Sequence, residues 1–159
     1  KGIIQACQFN KYESDRILDL LYSKNKQELS EYLSKLTYRE PMSTLLNLLD
    51  LEGTYEEVTS QIKGLYLNDM IKAGLQELKK VDDYMKSITN NIIYDLSMVS
   101  ELSYYDGITF RGYIKGSNKA IIKGGRYDSF TEQYGYKIPA IGFTFELDEL
   151  LKAVYKEAT

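Results

Sequence analysis

The residues best equipped for chemistry stand together late in the chain. Gly124 and Gly125 follow an apolar run, Ala120-Ile121-Ile122, and lead into Arg126, Tyr127 and Asp128. A cation, an aromatic hydroxyl and a carboxylate in consecutive positions give this stretch polar tools. Glycine permits positive φ and lets another group come close. The stretch Lys123–Asp128 is therefore expected as a hairpin-like turn that presents those side chains. Two further clusters flank it. Ser103-Tyr104-Tyr105-Asp106-Gly107 feeds a strand-like segment, and Pro139-Ala140-Ile141-Gly142-Phe143 precedes Glu146-Leu147-Asp148-Glu149-Leu150. If the strands behind these clusters are neighbours, all three meet at one end of a sheet. Gly142 then marks a second place for close approach.

Residue types that are missing narrow the chemistry. The chain has no histidine, which removes histidine bases, histidine metal ligands and Ser-His-Asp triads together. Its one cysteine, Cys7, cannot build a disulfide framework within the chain and reads as a small buried hydrophobe. No metal or cofactor is expected. The net charge of −3, with lysines spread along the chain, argues against a nucleic-acid footprint. No apolar run reaches the ~18 residues of a membrane span, and no signal peptide is recognised, so a cytoplasmic protein is expected. Neither a Gly-x-Gly-x-x-Gly nor a phosphate-loop motif occurs.

The elements that must position these clusters follow from periodicity. The chain lacks an initiator methionine and opens in strand-like sequence, so it reads as part of a longer protein. Gly2–Phe9 is expected as a strand, carrying Gln5 and Gln8. Helices are expected over Asp15–Tyr22, capped by Ser14, then Lys26–Leu36, and Met42–Leu51, closed by Gly53. Thr54 and Glu57 have capping-box spacing ahead of Tyr55–Ile62. Asn68 caps Asp69–Ile88, whose stripe of Ile71, Leu75, Leu78, Val81 and Tyr84 reads as a packing face. The period then changes. Strands are expected over Asn91–Leu96, Ile108–Ile114, Lys119–Lys123 and Ile138–Phe145, with a turn at Gly116-Ser117-Asn118. Phe130–Tyr134 reads as a short helix and Leu147–Lys156 as the last one. The class is α+β with an antiparallel sheet. One partial domain is expected over 1–159, mainly helical over 10–90, with strands and a helix over 91–159.

Tyr104-Tyr105-Asp106-Gly107-Ile108-Thr109-Phe110, then Gly124-Gly125-Arg126-Tyr127-Asp128, then Pro139-Ala140-Ile141-Gly142-Phe143, resembles the C-terminal half of the catalytic core of the histidyl-tRNA synthetase family. The same order occurs in a paralogue, the regulatory subunit of ATP phosphoribosyltransferase. The match runs over roughly Asp95 to Leu151. The resemblance implies a class II aminoacyl-tRNA synthetase-like antiparallel sheet with a helical insert. It also implies histidine contacts. Tyr105, Tyr127 and Tyr104 would meet the ligand, Gly124 and Gly125 would let the backbone approach it, and Arg126 would brace Asp128 or an outer loop. Gln5 and Gln8 would point into the same pocket.

Departures from the synthetase pattern separate the paralogues. The synthetase reads Arg-Gly-Leu-Asp-Tyr-Tyr where this chain has Ser100-Glu101-Leu102-Ser103-Tyr104-Tyr105, so its arginine is Ser100 and its aspartate Ser103. A second synthetase arginine, which grips ATP, is Glu149. Adenylation builds negative charge that cationic forks stabilise, and losing one such donor commonly costs about 10²–10³ in rate. The resemblance therefore implies a regulatory subunit, not an enzyme. It would assemble with a short-form catalytic subunit, activate it, respond to histidine as effector and form a homo-oligomer. Two other readings are an active histidyl-tRNA synthetase-type adenylating enzyme and a histidine-independent scaffold module.

Overall fold

The structure, a computed structural model, describes residues 2–38, 40–100, 104–115 and 117–157. Ser103 of the altered motif and Gly116 of the expected turn lie outside the described residues. The chain divides into two units, Lys1–Glu101 and Leu102–Thr159.

The first unit is built by helix caps and one apolar core. Its elements are α1 (Gly2–Cys7), α2 (Lys11–Tyr22), α3 (Lys26–Ser34), α4 (Met42–Leu48), β1 (Glu52–Gly53), α5 (Tyr55–Gln61), α6 (Asp69–Met85) and β2 (Tyr94–Asp95). The expected strand at Gly2–Phe9 is thus a helix. Ile3 and Cys7, four residues apart, fall on its buried face and join Ile17, Leu21, Leu29, Leu33 and Leu45 in the core. A short apolar run carries no period of its own, and tertiary packing chose the helix. Helix α2 starts four residues earlier than expected. Its cap is Asn10, which accepts from the Glu13 N–H at 2.9 Å while the Glu13 carboxylate accepts from the Asn10 N–H at 2.9 Å. Thr54 and Glu57 form the expected capping box ahead of α5, and Asn68 caps α6 through the Ile71 N–H.

Two further expectations in this unit fail for identifiable reasons. Gly53 does not close α4, which ends at Leu48. It lies in β1 at φ 149°, with the Glu57 carboxylate 2.7 Å from where a Cβ would sit. A side chain is excluded twice there, by backbone conformation and by the cap. In α6 the expected apolar stripe is not uniformly covered: Val81 and Tyr84 are exposed, and the buried residue is Asp82. Its carboxylate accepts from the Tyr94 hydroxyl at 3.2 Å and meets Lys86 Nζ at 2.8 Å. Burial and the adjacent carboxylate push the Tyr94 hydroxyl up to about 12. Ionic and hydrogen-bonding demand thus fixes the end of α6 against β2.

The second unit is an antiparallel three-stranded sheet with two helices. Its elements are β3 (Thr109–Gly112), β4 (Ile122–Arg126), α7 (Asp128–Glu132), β5 (Ile141–Phe145) and α8 (Leu147–Glu157). The order is β3-β4-β5, so β4 is central. Phe110 and Phe143 flank Gly124, while Thr109 and Gly142 flank Gly125. The stretch Lys123–Asp128 is therefore not a turn. It is the end of the central strand running into α7, and neither glycine has positive φ. The returning strand begins later than expected, and the short helix spans Asp128–Glu132, with Gly135 at φ 81° just beyond it.

Close packing at Gly124 gives a stability test. A Cβ there would lie 2.5 Å from the Gly142 carbonyl oxygen and 2.5 Å from Phe110 Cζ, whereas one at Gly74 in α6 would meet nothing within 4 Å. Gly124→Ala is expected to destabilise by about 1–3 kcal/mol or more. Gly74→Ala is expected to stabilise by about 0.5–1 kcal/mol. Urea denaturation of the intact protein measures both, and equal effects would contradict the packing.

Candidate functional site

The site is built where glycines remove side chains from one face of the sheet. Gly125 and Gly142 stand opposite each other across β4 and β5. A Cβ at Gly125 would come within 2.7 Å of Tyr105 Cδ1 and 2.9 Å of Thr109 Cγ2. A Cβ at Gly142 would come within 2.8 Å of the Tyr127 hydroxyl. The two tyrosine rings thus lie directly over the two glycines, with centroids 6.2 Å apart. Tyr104 packs on both, at 4.7 Å from Tyr105 and 5.6 Å from Tyr127. Phe130 of α7 continues the cluster at 5.2 Å from Tyr104, and Tyr134 follows at 5.6 Å from Phe130. Burial, reinforced by Tyr104 and Tyr127, raises the Tyr105 hydroxyl above its ordinary range. It stays protonated at neutral pH and serves as a hydrogen-bonding group.

The glycine pair of the motif serves two faces. Gly125 lies under Tyr105, whereas Gly124 faces the opposite side, against Phe110 and Phe143. Strand alternation requires this split once both residues sit in β4. The structure accordingly brings Tyr104, Tyr105, Tyr127 and Gly125 together and places the open side of Gly124 on the far face. Gln5 is exposed on α1 in the first unit, and Gln8 follows that helix at φ 50°.

Carboxylates hold the tyrosines in place. Asp106 accepts from the Asp128 N–H at 3.1 Å and the Ser129 N–H at 2.6 Å, at the start of α7. The Asp106 N–H in turn donates to the Arg126 carbonyl at 3.1 Å. Asp128 accepts from Arg126 Nε at 2.8 Å and from the Ala140 N–H at 2.9 Å, and the Tyr127 N–H donates to the Ala140 carbonyl at 2.9 Å. Arg126 thus braces Asp128. Residues 105–107, 126–129 and 140–142 are tied into one assembly. Burial opposes ionisation of Asp106, but bonds from Ser129 and from the Asp128 N–H outweigh it and lower its pKa. Arg126 foremost, then the Ala140 N–H, lowers that of Asp128. The double-acceptor role of Asp106 left no local sign in the sequence, because its partners lie more than twenty residues away.

Glu149 completes the electrostatic picture. Its carboxylate meets Lys152 Nζ at 3.0 Å and Lys119 Nζ at 3.3 Å. Bonds from Lys152, then Lys119, hold its pKa below the usual carboxylate range. Among the described residues no group of three or more His, Cys, Asp or Glu could hold a metal ion. No described helix is long and apolar enough to cross a membrane. The site is a glycine-floored, tyrosine-walled surface, equipped to stack and hydrogen-bond a small planar ligand.

Comparison with known proteins gives this geometry a context. A family model described as histidyl-tRNA synthetase matches residues 1–150. A relative from Alkaliphilus metalliredigens, named ATP phosphoribosyltransferase regulatory subunit, is 31% identical over 159 residues, covering 98% of this chain and 40% of the relative. One of the same name from Clostridium acetobutylicum is 32% identical, covering 97% of this chain and 39% of its own length. The chain thus spans about two-fifths of the length of the curated relatives it matches. Among solved structures, an ATP phosphoribosyltransferase regulatory subunit/histidyl-tRNA synthetase from Bacillus halodurans superposes with TM-score 0.78 at 30% identity, over 91% of this chain and 38% of that one. A histidine–tRNA ligase subunit from Alicyclobacillus acidocaldarius shares the fold, with TM-score 0.73 at 20% identity, over 99% of this chain and 51% of that one. The expected α+β, synthetase-like antiparallel fold is the fold observed.

The lowered pKa of Asp128 fixes the sign of an acid dependence. A carboxylate whose folded pKa is depressed contributes stability above its unfolded pKa, about 3.9, and loses it as pH falls through the folded value. Asp128→Asn is therefore expected to lower the thermal midpoint near pH 6. The gap to the unaltered protein should close as pH drops below about 4. A gap that stays constant with pH would contradict the Arg126–Asp128 assignment.

Proposed function

The chain belongs to the histidyl-tRNA synthetase family, and from that premise we propose that it is part of a regulatory subunit of ATP phosphoribosyltransferase that performs no adenylation itself. The carrying observation is Glu149. By the motif resemblance it stands where the synthetase has its ATP-gripping arginine, and Lys152 and Lys119 hold its carboxylate ionised. Nucleotide activation needs positive charge on the phosphates, and an ionised carboxylate opposes it. Ser100 offers no cation at the other altered position.

The tyrosine-walled site supports ligand binding without that chemistry. Tyr105 and Tyr127 present aromatic faces and hydroxyls over a floor without side chains, which suits an imidazole and an amino group. Histidine is the proposed effector. It would act on a short-form catalytic subunit, in histidine biosynthesis, by binding one assembly state better than the other. The names of the relatives support the regulatory role. The activation, the histidine feedback, the homo-oligomer and a cytoplasmic setting are parts of the proposal.

The intact protein, mixed with its catalytic partner, is expected to raise phosphoribosyl transfer and to make it sensitive to histidine. Tyr127→Ala is expected to weaken histidine binding by about tenfold or more. If the protein changes neither the partner's rate nor its histidine sensitivity, the reading fails. Histidine-dependent ATP–pyrophosphate exchange by the intact protein would also overturn it.

A further inference from the structure

Two cations stand side by side on the same sheet face as the tyrosine site. The register pairs Arg111 of β3 with Lys123 of β4, and Lys123 with Thr144 of β5. The next row on that face is Thr109, Gly125 and Gly142, the floor under Tyr105 and Tyr127. The Arg126 N–H donates to the Ile108 carbonyl, so residues 126 and 108 are a hydrogen-bonded pair. Alternation along the ladder makes Arg111 and Lys123 a non-hydrogen-bonded pair, in which side chains approach most closely. Like charges directly opposite each other are unfavourable. Among the described residues Arg111 enters no ion pair, and Lys123 reaches Glu146 at 3.9 Å. Among the described residues Glu146 is thus the one carboxylate within ion-pair distance of Lys123, and none is within that distance of Arg111.

We propose that Arg111, Lys123 and Thr144 form an oxyanion subsite of the tyrosine site. The inference rests on the reading of that surface as a ligand site. Rows two residues apart along a strand are separated by about 7 Å. That is on the scale of the reach from an aromatic ring to the far end of a small amino acid. A ring stacked against Tyr105 and Tyr127 would direct its acidic end toward Arg111 and Lys123. The guanidinium offers a planar fork for an oxyanion, the ammonium adds a point charge, and the Thr144 hydroxyl adds a donor. The shared chemistry is that of a carboxylate or a phosphate. An occupant would relieve the cross-strand repulsion, so binding and sheet stability are coupled at this row.

Calorimetric titrations of the intact protein with L-histidine, L-histidinol and inorganic pyrophosphate test the subsite. Histidinol keeps the ring and amine of histidine and lacks its carboxylate. Arg111→Ala/Lys123→Ala is expected to weaken histidine by about tenfold or more while histidinol changes by less than about twofold. The exchanged pair Arg111→Lys/Lys123→Arg is expected to recover most of the loss, which separates charge from folding. If pyrophosphate alone binds and its affinity falls in the double variant, the oxyanion is a phosphate. The subsite then stands while the histidine reading fails. Equal losses for histidine and histidinol, unchanged binding of every probe, or no binding of any probe would overturn the subsite.

Discussion

The second unit depends on three places where a β-carbon is missing. Gly124, Gly125 and Gly142 lie where strands and aromatic rings approach within distances that no side chain survives. On one face Phe110 and Phe143 close over Gly124; on the other, Tyr105 and Tyr127 lie over Gly125 and Gly142. A glycine in a strand interior ordinarily weakens it through chain entropy. Here that cost is offset by aromatic packing on both sides of the same central strand. The arrangement also explains why the tyrosines form a site. Their rings sit against the sheet instead of being propped away by intervening side chains.

Electrostatics then determines where the rings point. Asp106 and Asp128 each accept backbone N–H bonds from a distant segment; these bonds lower the pKa of Asp106, and at Asp128 they add to Arg126, the foremost cause. Tyr105 precedes Asp106 and Tyr127 precedes Asp128, so fixing each carboxylate fixes the adjoining ring. This is a rigidifying use of charge: short, charge-assisted bonds to backbone N–H groups in place of mobile cations aimed at a substrate. Glu149 extends the pattern, spending its charge on two lysines of its own unit.

What the sequence revealed depended on how local each signal was. The capping residues Thr54 and Asn68 were legible because cap and helix lie within four residues. The strand near residues 109–112 is legible through alternation, and that at 141–145 falls within the expected Ile138–Phe145. The expected strand Gly2–Phe9 fails because so short a run shows no clear period, and only the core contacts of Ile3 and Cys7 decide for the helix Gly2–Cys7. The glycine pair was read as a turn because adjacent glycines usually relieve backbone strain. Here they relieve side-chain collision, which for Gly124 depends on strand partners nineteen residues away at Phe143 and fourteen at Phe110. The gathering of Tyr104, Tyr105 and Tyr127 was anticipated from the order of the motifs. The Asp106 bonds that set their spacing were not, since nothing near Asp106 announces the start of α7.

Shape and charge are separable requirements, and the proposed function has this chain keep one without the other. A binding surface needs the missing β-carbons and the rings above them, all conditions on excluded volume. Nucleotide activation needs, in addition, cations placed against developing negative charge. The atoms nearest a Cβ at Gly125 or Gly142 belong to Tyr105, Thr109 and Tyr127, so the floor rests on those residues and not on a cation. The reverse does not hold: a side chain at Gly125 would collide with Tyr105 and Thr109 and remove the surface on which any chemistry depends. On the proposed reading, loss of catalysis with survival of recognition is the easier route from this fold, with an ionised Glu149 in the same unit as the glycine-seated tyrosines.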